Sequence, residues 1–67
     1  MVVMTREKVL EMVRQDCAGK GWQDVVDALE DGEYLKNLGI TDDHINVVEA
    51  AHARACEMAE IHPDYKF

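Results

Sequence analysis

Glycines at 19, 21, 32 and 39 and the single proline at 63 cut this 67-residue chain into four stretches. Each stretch repeats its apolar residues with the period of an α-helix, and none alternates apolar and polar residues for long enough to make a strand. An all-α fold follows: a compact array of three to four helices, about 6-18, 22-31, 33-38 and 42-61, ending in a long C-terminal helix. Connections this short favour one small helical domain over residues 1-67, with 63-67 as a short C-terminal tail.

The local signals are specific. Thr5 stands where an N-cap belongs, Val9, Leu10, Val13 and Cys17 follow at helical spacing, and Gly19 is the stop. Met4 and Val9 fit the two ends of a hydrophobic staple. After the turn, Trp22, Val25, Val26 and Leu29 repeat until Gly32 ends the segment, with Asp24 and Asp27 near the positive end of the helix dipole. Tyr34, Leu35 and Leu38 share one face of a short helix, and Gly39-Ile40 fits a Schellman stop with its apolar contact. Thr41 is placed to cap the last helix, which opens Asp42-Asp43 and carries a stripe of Ile45, Val48, Ala51, Ala55 and Ala59 until Pro63.

Size and charge set the function classes. A chain this short buries only about 60% of the surface its unfolded form exposes, so self-association or a partner is expected. The longest uncharged apolar run, Met1 to Met4, is far below the roughly 18 residues of a membrane span, and no signal-peptide core is seen. A cytoplasmic protein away from membranes is expected. The formal net charge is -7, and it is uneven: residues 1 to 21 carry four bases against three acids, whereas residues 22 to 43 carry seven acids against Lys36 alone. Such a surface repels nucleic acid and suits a basic protein surface.

Candidate chemistry is sparse. His52, Cys56 and Glu60 fall at i, i+4 and i+8 of the last helix, a spacing that presents metal ligands on one face. No CxxC or HExxH accompanies them and one helix cannot close a tetrahedral site, so no metal and no cofactor is expected. Cys56 then reads as a small apolar packer, His52 as a rim residue, and Cys17 as part of the first helix's core stripe. The two hydroxyls of the Ser/Thr type, Thr5 and Thr41, are explained as caps, and a chain of this size has little room for a pocket, so no enzyme is expected. Trp22 reads as a core anchor. The Pro63 to Phe67 tail either folds back or docks on a partner.

Two local resemblances add to this. Tyr34 to Thr41, followed by Ile45 and Val48, resembles the short helix, turn and second helix of helix-turn-helix DNA-binding proteins. That likeness implies a recognition helix, yet this one opens Asp42-Asp43-His44 where basic or amide side chains would face a groove. Trp22 to Val26 and Leu38 to Ala51 are similar to two pieces of sterile alpha motif domains, with that family's intervening helices missing.

The resulting expectation is a small acidic protein-binding module without catalysis. Asp24, Asp27, Asp31, Glu33, Asp42 and Asp43 supply its charge, and Val47, Met58 and Ile61, on a second face of the last helix, supply apolar anchors. Those three side chains either line one wide core stripe or form a homodimer or partner surface. In its sharper form the module is an inhibitor covering a basic, nucleic-acid-binding surface of a partner, as small phage or mobile-element proteins do. The alternative is a helix-turn-helix-like regulator that dimerises through the last helix and touches DNA with Arg6, Lys8, Arg14 and Lys20.

Overall fold

The computed structural model describes residues 3–67; positions 1 and 2 of the expected domain lie outside the described residues. Its helices are α1 (Arg6–Asp16), α2 (Trp22–Leu29), α3 (Gly32–Asn37) and α4 (Ile45–Ile61), with a 3-10 turn over Asp42–His44 ahead of α4. No strand occurs among the described residues, and the all-α class is the one expected.

Thr5 is extended, and its hydroxyl accepts the Lys8 N–H at 3.1 Å, opening α1. The helix leaves its α geometry at Cys17 rather than Ala18, because the chain turns through Gly19 at φ +84°. Gly21 caps α2 by a different route, its N–H donating to the Asp24 carboxylate at 3.2 Å.

Helix α2 ends at Leu29, short of the expected Asp31, and Gly32 is the first residue of α3 rather than a stop. The cause is Asp31, which adopts extended backbone and whose carboxylate takes the N–H groups of Glu33 and Tyr34 at 3.1 and 3.2 Å. A good N-cap here outcompetes the glycine. At the other end of α3, Gly39 has φ +86°, its N–H reaches the Lys36 carbonyl at 3.0 Å, and the Ile40 N–H reaches Leu35 at 2.9 Å. These are the two bonds of a Schellman motif, and Ile40 and Leu35 are both buried as its apolar contact requires.

Val9, Val13, Val25, Ala51 and Ala55 are fully enclosed in one core cluster that also holds Trp22, Leu29 and Val48. Helix α4 packs against both α1 and α2, and the alanines at its centre let it approach closely. Three features of α4 differ from expectation: the α-helix begins at Ile45 rather than at Asp42, because Asp42–His44 close as a tighter 3-10 turn in which the His44 N–H reaches the Thr41 carbonyl at 2.9 Å. Thr41 sits at the capping position, but its hydroxyl makes no capping bond. Ile45 is 51% exposed, so the buried stripe starts at Val48. The 3-10 turn before Ile45 packs on α4 alone, which leaves that first turn projecting beyond the cover of the other helices.

The tail folds back. A turn after His62 lets the Tyr65 N–H reach the His62 carbonyl at 3.2 Å. Phe67 then pairs with the α1–α2 loop, donating to Lys20 and accepting from Gly19, each at 2.9 Å. Its ring meets Trp22 edge-on with centroids 5.0 Å apart, and the Arg14 guanidinium lies 5.2 Å from the Phe67 ring and 5.5 Å from Trp22. A side chain at Gly21 would place its Cβ 2.9 Å from the Tyr65 carbonyl oxygen, so a glycine is needed where this strap crosses. No described helix is long and apolar enough to cross a membrane.

Candidate functional site

The end of α1, the loop after it, α2 and the start of α3 surround a shallow depression of about 350 Å³. Asp16, Asp24, Asp27 and Asp31 border it, with Lys20 on the rim and Tyr34 on the α3 side. Asp24, Asp27 and Asp31 belong to the acidic block expected from the sequence; Asp24 and Asp27 lie on α2, and the turn into α3 brings Asp31 to the same hollow. Asp24 and Asp31 are fixed by the capping bonds they accept, while Asp27 meets the Gln23 amide at 3.3 Å.

Two further members come from tertiary packing. Asp16 belongs to the less acidic first third of the chain, and Tyr34 lies 18 residues later; the Tyr34 hydroxyl donates to Asp16 at 2.6 Å. Burial, and then this bond to a carboxylate, pushes the Tyr34 phenol far above its ordinary range, so it stays a donor. Cys17, on the floor of the depression, is a free thiol pushed upward mainly by burial.

The ion pairs among the described residues are Arg6–Glu7, Arg54–Glu57 and His52–Glu30. None involves a carboxylate of the depression. Its negative charge is therefore uncompensated by any cation within ion-pair distance among the described residues, and it can act on a positively charged partner.

The remaining expected residues are distributed elsewhere. Glu33 and Asp42 border a second hollow of about 590 Å³ with Lys36 and Asn37, and Asp43 is exposed on the 3-10 turn. Val47 and Met58 are half-buried and pack against the core, whereas Ile61 is 56% exposed. Met58 also lines a hollow with Arg14, Trp22, His62 and Tyr65, next to the strap. The nine residues thus form one acidic cluster of three, with the others set around the molecule.

No group of three or more His, Cys, Asp or Glu side chains with metal-holding geometry occurs among the described residues. The partner that His52 meets is Glu30 of the α2–α3 connection, at 3.2 Å, rather than Glu60. The chain matches no protein-family model, no curated protein and no solved structure.

Proposed function

We propose that this chain is a small acidic, non-catalytic protein-binding module that docks on a basic protein surface through the depression between α1, α2 and α3. The observation that supports this reading is the convergence of Asp16, Asp24, Asp27 and Asp31 on one hollow, without an ion-pair partner among the described residues. Carboxylates grouped in this way steer a cationic partner and set its choice more than they set final affinity. Asp24 and Asp31 are already ordered by backbone N–H groups, which lowers the entropy lost on docking. The partner surface is one rich in Lys and Arg, such as one that binds nucleic acid, and covering it would make the chain an inhibitor in the manner of small phage or mobile-element proteins. Exposed Ile45 and Ile61 leave α4 with apolar positions for a second copy or for the partner's edge.

The helix-turn-helix-like alternative has less support. Of the bases it needs, Arg6 is paired with Glu7, and Arg14 lies against the Trp22 and Phe67 rings. Asp42 and Asp43 stand at the start of its recognition helix.

One titration separates the two. Fluorescence anisotropy of a labelled Lys/Arg-rich helical peptide and of a labelled DNA duplex is followed as the protein is added at low and high salt. The expected result is salt-sensitive binding of the peptide, weakened several-fold by Asp27→Lys, and no binding of the duplex. Asp27 suits this reversal because it accepts from the exposed Gln23 amide and caps no helix. Peptide binding unaffected by Asp27→Lys would remove the acidic depression from the account, and retention of the duplex at low salt would favour the alternative.

A further inference from the structure

On the side of α4 that faces the α2–α3 connection, three side chains form a relay. The Cys56 sulfur lies 3.8 Å from His52 Nδ1, one helical turn earlier, and His52 Nε2 lies 3.2 Å from a Glu30 carboxylate oxygen. Glu30 sits 22 residues before His52 in sequence, so helix packing and not local spacing completes the set. Cys56 is half-buried against the core, and the His52 and Glu30 side chains are 35% and 59% exposed, so the group lies at the edge of the core rather than within it.

The order of contacts fixes the roles. A carboxylate can only accept, so Nε2 carries the proton it donates to Glu30, and Nδ1 of the neutral ring is the free acceptor turned toward the thiol. A nucleophile, a base within reach of it and a third group that orients the base constitute an activated nucleophile. Arg54, nearby on the same helix, is engaged by Glu57 at 2.8 Å and leaves the relay to these three.

We propose that Cys56 is a reactive thiol, activated by His52 with Glu30 as the positioning residue, and that its reagent is a small hydroperoxide. The thiol proton passes to His52 Nδ1, and the imidazolium is held by the Glu30 carboxylate. The thiolate attacks one peroxide oxygen, an S–O bond forms as the O–O bond breaks, and the departing oxygen takes the proton back from His52 and leaves as water or an alcohol. Cys56 becomes a sulfenic acid, and the peroxide is reduced by the same two electrons.

Cys17 is the internal control, since it is buried, makes no side-chain hydrogen bond to a base among the described residues and is shifted toward the thiol form mainly by burial. The experiment treats the intact protein with hydrogen peroxide, traps sulfenic acid with dimedone and follows each cysteine by peptide mass. Cys56 is expected to label well ahead of Cys17, His52→Gln to slow Cys56 about tenfold, and Glu30→Gln to slow it several-fold. Labelling of Cys17 stays low in every folded variant and rises if one unfolds, so a fold defect declares itself. Should His52→Gln unfold, Glu30→Gln, altering an exposed connection residue, decides alone. Equal Cys56 rates in wild type and in the folded variants would overturn the proposal, because exposure alone would then explain the reactivity.

Discussion

The α1–α2 loop separates two regions held by opposite means. On one side, Lys20 borders the depression where carboxylates accept backbone N–H groups and form no ion pair among the described residues. On the other, the same Lys20 and Gly19 hold Phe67, and the Arg14 guanidinium is absorbed by two aromatic rings. The first region spends its polar groups on helix caps and keeps its charge outward. The second packs Phe67 edge-on against Trp22 and lays the Arg14 guanidinium against both rings. In a chain too small for a large core, this division lets one face be stabilising and another remain free to recognise a partner.

Breaking the strap should have the largest effect. Gly21→Ala forces a Cβ against the Tyr65 carbonyl oxygen, backbone that cannot swing away as a side chain would. A loss of about 1–3 kcal/mol is expected, read from urea denaturation, together with faster hydrogen exchange at the Phe67 amide. Retained stability and slow exchange would show that the strap is not seated as described.

Within the acidic region, carboxylates should differ sharply although they share a hollow. Asp31→Ala removes the cap of α3 and should cost about 1 kcal/mol, while Asp27→Ala should stay within about 0.5 kcal/mol. Thermal or urea unfolding of the pair measures the contrast. Equal losses would mean that capping does not distinguish them.

A smaller effect sharpens the same region. Tyr34 is raised above the ordinary tyrosine value of 10.0, first by burial and then by its bond to Asp16. A raised value in the folded state means that the unfolded chain loses this proton first. The contribution is therefore intact below about pH 10 and falls away as pH rises beyond it. Cys17, raised above 9.0 by burial, acts in the same direction from about pH 9 upward. Tyr34→Phe should lower stability at neutral pH by about 1 kcal/mol and flatten the alkaline decline, as a series of denaturation curves against pH would record.

How much of this was legible beforehand depended on distance along the chain. The Gly39-Ile40 stop, the Thr5 cap and the core anchor Trp22 follow from neighbouring residues, and each stands as expected. Gly32 misled because two local rules compete there, and the Asp31 cap prevails. Ile45 misled because helical phase was right while cover was absent, something only the arrangement of the other helices decides. The acidic block over residues 22 to 43 that holds Asp24, Asp27 and Asp31 could be read from the distribution of charge along the chain. Asp16 with Tyr34, Glu30 with His52, and Phe67 with Trp22 join distant segments, and no periodicity encodes them.

The central claim is that the depression carries net negative charge, four carboxylates against Lys20 with no ion pair to them among the described residues. Its most direct test is the urea midpoint of the wild-type chain and of the isosteric variant Asp27→Asn at about 0.01 M and about 1 M sodium chloride, where the screening length falls from roughly 30 Å to roughly 3 Å. Mutual repulsion among the carboxylates predicts that Asp27→Asn is the more stable at low salt and that the advantage disappears at high salt. A variant less stable than wild type at low salt, or a difference that salt leaves unchanged, would contradict it.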